Sequence, residues 1–296
     1  DRLSAAMEVI EVTLPPEVPE THFAMQRMLV TKGCNRKFDP NFIHTCRRHY
    51  LAMIAEVDGI VGELVETLES CGAAQNTVVI FTADHGDMRL EHGQHLKNTL
   101  YEGSARVPLV MAGPGAEAGR RVGSPVSLVD IYPTVCDIAG AETGENLAGH
   151  SLLPAATGAN TSHPGIVFSE YHSNFQQTGS FMLRKGPWKY IAYPGCSPQL
   201  FHLEEDPAEA RDRSKTDTET AEALDAALRR IVDYPAADAA AKATDAAEFA
   251  TWRLRYPQKT YLEVMSEMAA SWNAGISERF EKWAEKGLHF PGQQIQ

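Results

Sequence analysis

Apolar residues recur at three- and four-residue steps between Asp39 and Cys71, through Tyr50, Met53, Ile54, Val57, Ile60, Val61, Leu64, Val65 and Leu68. That spacing predicts a long amphipathic helix. Asp39-Pro40 supplies an N-cap with proline at the first helical position, and Gly72 supplies the stop. The pattern then changes period. Val78-Val79-Ile80-Phe81-Thr82 and Val107-Pro108-Leu109-Val110-Met111 are short, β-branched runs that read as strands, the first buried on both faces as in a parallel sheet. Ser124 to Ala139 predicts another helix closed by Gly140, with Pro133 imposing a kink or a late start.

Beyond about residue 150 the runs shorten. Ile166–Glu170, Ser180–Arg184, Trp188–Ala192 and Gln199–Leu203 are separated by turn residues such as Gly186-Pro187 and Pro194-Gly195, which predicts a small antiparallel sheet. From Asp217 the pattern is helical, and Ala236 to Ala250 reads as a solvated helix. Residues 1–38, with Pro15, Pro16 and Pro19, read as irregular. The resulting division is residues 1–150, α/β in character, and residues 151–296, a subdomain of antiparallel sheet and helices.

Composition narrows the function. With 27 basic and 39 acidic residues among 296, the formal charge is −12. Nucleic acid, which needs clustered Lys and Arg, is not expected as a partner. A small anion remains compatible, because a few local cations can reverse the field inside one cleft. No apolar run is long enough for a membrane span. Five widely spaced cysteines form no C-x-x-C pair, so neither a zinc knuckle nor a disulfide framework is expected, though Cys34 and Cys46 could pair in an oxidising compartment. The compartment is left open.

The chemistry concentrates in Thr82-Ala83-Asp84-His85-Gly86-Asp87, at the carboxyl end of the first strand, where ligands bind in open α/β sheets. Asp84 offers carboxylate oxygens and His85 an imidazole nitrogen, and Gly86 permits a sharp exit. Taken alone the tripeptide is equally a turn or a helix cap. Glu91-His92-Gly93-Gln94-His95-Leu96-Lys97 follows, and Lys97 could fold back to neutralise an anion at the same tip, or stand as a solvated loop lysine.

Thr82–Gly86, then Lys97-x-x-x-Tyr101-Glu102-Gly103-x-x-Arg106-Val107-Pro108, stand in the order and register of the C-terminal signature of the sulfatase family, in the alkaline phosphatase superfamily. Ser127-Leu128-Val129-Asp130-Ile131-Tyr132-Pro133-Thr134 and Leu200-Phe201-His202-Leu203-x-x-Asp206-Pro207-x-Glu209 also resemble family elements, with His202 where an Asp is usual. The resemblance covers nearly all of residues 40–210. It implies part of an alkaline-phosphatase-like mixed sheet flanked by helices. It also implies metal-assisted cleavage of a sulfate ester, on a small molecule or saccharide.

By position the resemblance makes Asp84 and His85 metal ligands and Lys97 the group that grips sulfate. His92 and His95 become candidates for protonating the leaving oxygen, and His172 a candidate for substrate contact. Calcium is the family's usual ion; the imidazole leaves room for Mn²⁺ or Zn²⁺, and Mg²⁺ is a further candidate. Family members convert the Cys or Ser of C/S-x-P-x-R to formylglycine, and no Cys or Ser here stands in that context. The expectation is therefore that the nucleophile region precedes this chain, and that the chain alone is inactive and associates through an incomplete sheet. The alternatives are a phosphonate or phosphate ester hydrolase on the same scaffold, or a non-catalytic remnant binding a metal or a partner.

Overall fold

The computed structural model describes residues 11–18, 21–159, 163–173, 176–255 and 263. A 3₁₀ turn, Phe23–Met25, leads into helix α1, Gln26–Thr31, which corrects the irregular reading of residues 1–38 for this stretch. The signal was there: Ala24, Met25, Met28 and Leu29 repeat at helical spacing, and all four are buried.

Helix α2, Pro40–Ser70, runs as expected, with the Asp39 carboxylate accepting from the Asn41 and Phe42 N–H groups. Its apolar stripe is a different matter. Ala52 is its one buried residue, while Met53, Ile54, Val57, Ile60, Leu64 and Val65 face solvent.

Strand β1, Val79–Thr82, is joined by the loop and by the short helix α3, Glu102–Ala105, to strand β2, Leu109–Ala112. The two strands pair antiparallel, Val79 opposite Ala112 and Thr82 opposite Leu109, which corrects the parallel pairing expected for β1. Among the described residues this sheet has only these two strands. β1 is accordingly half-buried, and β2 alternates between half-buried and exposed positions. Helix α4, Ile131–Ala139, starts late behind a 3₁₀ turn at Leu128–Asp130 and stops at Gly140, whose left-handed φ of 63° suits the C-terminal cap.

A short helix α5, Leu153–Ala156, precedes a four-stranded antiparallel meander. Its strands are β3 (Ile166–Tyr171), β4 (Ser180–Lys185), β5 (Trp188–Ala192) and β6 (Gln199–His202). Phe168 pairs with Leu183, Leu183 with Tyr190, and Tyr190 with Leu200. Helices α6, Thr218–Ile231, and α7, Tyr234–Arg255, complete the chain's described part.

The meander is buried on both faces, and the alternation of its side chains shows how. Phe181, Leu183, Tyr190, Ala192 and Leu200 pack with Ala221, Leu224, Leu228 and Tyr234 of α6 and α7. Met182, Ile191 and Phe201 point the other way, onto Met25, Met28 and Leu29 of the N-terminal turn and α1, and onto Met88, Leu100 and Tyr101 of the loop after β1. That second core cluster draws residues from both sides of residue 150 and fixes the loop carrying the candidate chemistry.

Candidate active site at the strand tip

The loop after β1 is held by close backbone approach. The Gly86 N–H donates to the Ser104 carbonyl at 2.8 Å. A Cβ on Gly86 would lie 2.2 Å from the Gly103 carbonyl oxygen, so glycine is required by space rather than by a left-handed φ. This contact ties the Asp-His-Gly turn to the Tyr-Glu-Gly segment in α3. Further on, Arg89, Leu90, His92 and Leu96 all have φ between 47° and 65°, a left-handed backbone that costs non-glycine residues energy and clusters at functional sites. Buried Met88 and Leu90 anchor the strained stretch, as do Arg47 and Arg89, which both bind Glu91.

Three of the expected site residues meet at the tip. The Asp84 side chain is 86% exposed and uses Oδ1 only to accept from the adjacent His85 N–H, at 2.9 Å. His85 Nδ1–H donates to the Gly86 carbonyl at 2.9 Å, because a carbonyl can only accept. That bond leaves the Nε2 lone pair free of a proton in the neutral ring. Nε2 lies 3.4 Å from Asp84 Oδ2, and the Lys97 ammonium donates to it. An imidazole whose other nitrogen is pinned to a backbone carbonyl is how metal-ligating histidines are oriented. One nitrogen and one carboxylate oxygen therefore point at a common spot, which fits a divalent cation's first two ligands.

The other histidines are committed elsewhere. The His92 ring stacks on Tyr101, centroids 4.1 Å apart, and its Nε2–H donates to the Ala208 carbonyl at 3.0 Å. Burial lowers its pKa, against the opposing pull of that carbonyl and of Glu91. His92 thus joins the loop to the C-terminal region, and the contacts give it no place at the tip. His95 donates from Nε2 to the Lys32 carbonyl at 3.1 Å and hydrogen-bonds the buried Cys34 thiol, which raises the imidazole's pKa. It holds the end of α1 instead of facing Asp84. His172 sits 3.8 Å from Glu170 and packs edge-on against Phe181. The meander reaches the cleft one residue earlier, where the Tyr171 hydroxyl accepts from the Asn98 side-chain amide.

The sequence reading gave Lys32, Asn98 and Tyr171 no role at the site. All three lie outside the Asp-His-Gly segment, and only the packing of α1 against the meander brings Lys32 and Tyr171 to the residue beside Lys97. All five cysteines, Cys34 and Cys46 included, are free thiols.

A second grouping of potential ligands lies elsewhere. Asp130, His150 and His163 offer atoms within 4.8 Å of one another, a group that could hold a metal ion. Its present bonds are self-sufficient. Asp130 accepts from the Ser127 and His150 N–H groups, at 2.7 and 2.8 Å. His163 Nδ1 accepts from the Gly165 N–H at 3.1 Å, which places the proton on Nε2, 3.1 Å from Asp130 Oδ2. A cation there would have to displace that proton, whereas at the Asp84–His85 tip the lone pair carries no proton of its own and only the Lys97 ammonium would have to move aside.

Comparison with known proteins matches the chain on both sides of the site loop. The sulfatase family model matches residues 20–141, and the model of the N-sulphoglucosamine sulphohydrolase C-terminal region matches residues 90–234. Arylsulfatase K of Danio rerio is 42% identical over 231 residues, covering 76% of this chain and 44% of that protein. The chain thus spans less than half the length of that relative. Among solved structures, the phosphonate monoester hydrolase of Agrobacterium radiobacter is 30% identical, with a TM-score of 0.57, covering 64% of this chain and 41% of that one. A structure in complex with its substrate D-glucosamine-2-N,6-O-disulfate is 25% identical with a TM-score of 0.57, covering 70% and 44%. With its signature residues gathered at one strand tip and its sequence matched on both sides of that tip, the chain belongs to the sulfatase family and is similar to arylsulfatase K.

Proposed function

We propose that residues 1–150 contribute part of the catalytic domain of a sulfuric ester hydrolase, with residues 151–296 as the subdomain that braces it. The observation that carries this reading is the His85 lone pair, held open by the Gly86 carbonyl beside the exposed Asp84 carboxylate and under the Lys97 ammonium. Asp84 and His85 would hold the divalent ion, calcium in the first place and Mn²⁺ or Mg²⁺ as alternatives. When bound, such an ion polarises the ester oxygens and stabilises charge developing at sulfur.

Lys97 shares the His85 lone pair in the structure, and two cations cannot share it. With His85 Nε2 committed to an ion, the Lys97 ammonium would be left to bind a sulfate oxygen. The substrate class is a sulfate ester of a small or saccharide alcohol, in keeping with the disulfated glucosamine bound by one structural neighbour. The nucleophile would be a formylglycine outside residues 1–296, since no Cys or Ser among them stands in C/S-x-P-x-R. A second reading, phosphonate or phosphate ester hydrolysis on the same site, draws support from the phosphonate monoester hydrolase likeness.

Calorimetric titration of the chain with Ca²⁺ and with Mn²⁺ tests the metal half. Binding is expected in the wild type and lost in Asp84→Ala; equal binding by both proteins would sink the assignment. The chain is expected to turn over no aryl sulfate, and hydrolysis above the Asp84→Ala background would contradict the division of the site. Tighter binding of a methylphosphonate monoester than of its sulfate counterpart would favour the second reading.

A further inference from the structure

We propose that Asp130, His150 and His163 form a zinc site, apart from the strand tip, that clips the start of α4 to the segments leading into α5 and β3. The proposal does not depend on the roles given to Asp84, His85 and Lys97.

The three side chains come from three stretches of chain. Asp130 ends the 3₁₀ turn before α4, His150 precedes α5, and His163 precedes β3. The Asp130 and His163 side chains are only 2% and 5% exposed. The Asp130 carboxylate is held in place, because Oδ2 accepts from the Ser127 N–H and Oδ1 from the His150 N–H. Its Oδ2 lies 3.1 Å from His163 Nε2. Metal–ligand bonds of about 2.0–2.1 Å put two corners of a zinc tetrahedron about 3.3 Å apart. The pair therefore already has a zinc spacing, with one proton holding its two atoms together in the ion's place.

His150 supplies the third ligand. Its exposed ring meets His163 edge-on, centroids 5.5 Å apart. Among the described residues its ring nitrogens make no hydrogen bond or ion pair, the backbone N–H being the only group it commits. All three residues offer ligand atoms within 4.8 Å of one another. An exposed ring turns through the remaining distance without repacking, while its backbone stays fixed on Asp130. Two imidazole nitrogens and one carboxylate oxygen suit zinc, with water in the open fourth position. Calcium, which takes about 6–8 oxygens, is poorly served by the same set.

Zinc has to replace the proton on His163 Nε2. That proton passes through solvent to Nδ1, which now accepts from the Gly165 N–H, so the Gly165 N–H must turn to water. Gly165 has a φ of 62° and open space where a Cβ would stand, so its peptide is free to turn. Losing one such bond costs about tenfold in affinity. Zinc–imidazole bonding outweighs that cost and calcium does not, which separates this site from the oxygen-accepting role given to the strand tip.

The test is calorimetric titration of the 296-residue chain with Zn²⁺ in the Asp84→Ala background, which removes the carboxylate of the strand tip. A zinc equivalent that depends on His150 is expected, undisturbed by excess Ca²⁺ and raising the melting temperature. Asp84→Ala/His150→Ala should weaken it by at least the roughly 10–100-fold that loss of an outer-shell partner costs, and should lose the melting shift. Because His150 is exposed, the metal-free double variant is expected to melt like its parent. If it melts lower, His150→Cys decides, since a thiolate restores a zinc ligand: retained binding supports the site and lost binding overturns it. Co²⁺ in place of zinc should show the visible absorption of four-coordinate cobalt only when His150 is present. Equal Zn²⁺ binding with and without His150, or none in the Asp84→Ala chain, would overturn the proposal.

Discussion

The two sheets of this chain solve the burial problem in opposite ways. The meander is sandwiched, with α6 and α7 on one face and α1 and the site loop on the other, and Phe181, Leu183, Ile191 and Leu200 are fully buried. The β1–β2 pair has no such cover among the described residues, and the helix that precedes it turns its apolar stripe outward. Yet the chemistry sits on the poorly covered sheet. The difference teaches that the site's precision is borrowed: the loop after β1 is located by its contacts with the meander more than by its own strand.

One of those contacts is an ion cluster around a buried lysine. Lys189 of β5, 0% exposed, lies 2.9 Å from Glu102 of α3 and 2.9 Å from Glu209. Glu209 Oε1 is at ion-pair distance without hydrogen-bond alignment, while its Oε2 accepts from the Glu102 N–H at 2.6 Å. Burial pushes the Glu209 carboxyl up; in Glu102 burial pushes the same way, but Lys189 overcomes it and holds the carboxyl below its ordinary range. Removing the cation leaves the two carboxylates facing each other without the lysine they share. Lys189→Met should therefore cost about 3–5 kcal/mol in denaturant unfolding, with part recovered in a Lys189→Met/Glu209→Gln double variant. A neutral single variant would break the claim that the meander holds the site.

A smaller effect is expected at the turn itself. Gly86→Ala forces a methyl group toward the Gly103 carbonyl, a backbone atom that cannot swing aside. The expected cost is about 1–3 kcal/mol, as for overpacked interiors, read by thermal melting. The same variant should lose Ca²⁺ or Mn²⁺ binding, because Asp84 and His85 immediately precede the displaced residue. Full stability with lost metal binding would sharpen the comparison further, showing that the tip can shift without disturbing the meander.

Much of this was legible in the chain. The α2 boundaries, the late start of α4 with Pro133 in its first turn and all four meander strands follow from spacing, caps and turn residues, which act locally. The Asp84–His85–Lys97 grouping was legible because its members lie within fourteen positions of one another and follow a family signature. What escaped depends on distant packing. β1 reads as parallel because half-buried and fully buried strands share the same β-branched composition, and α1 hid behind a proline-rich approach. The fates of His92, His95 and His172 could not be read from residue type, because Tyr101, Cys34 and Phe181 meet them only once the chain is folded.

The smallest stability effect belongs to α2, and it bears most directly on the contrast between covered and uncovered regions. Val57 and Leu64, one heptad apart and so on one face, are 46% and 61% exposed. With Met53, Ile54, Ile60 and Val65 also exposed, they form an apolar stripe larger than isolated surface residues produce. Such a surface is expected to draw copies of the chain together at micromolar concentration, visible as mass growing with concentration in sedimentation or light scattering. Lysine is at least as good a helix former as valine and close to leucine, so Val57→Lys/Leu64→Lys should change unfolding free energy by no more than about 0.5 kcal/mol per site. If the stripe is what associates, the double variant is monomeric where the wild type is not. If both proteins associate alike, the open edges of β1 and β2 become the surface responsible. If both are monomeric, this face of α2 is tolerated in water, and the contrast with the meander reduces to the site loop alone.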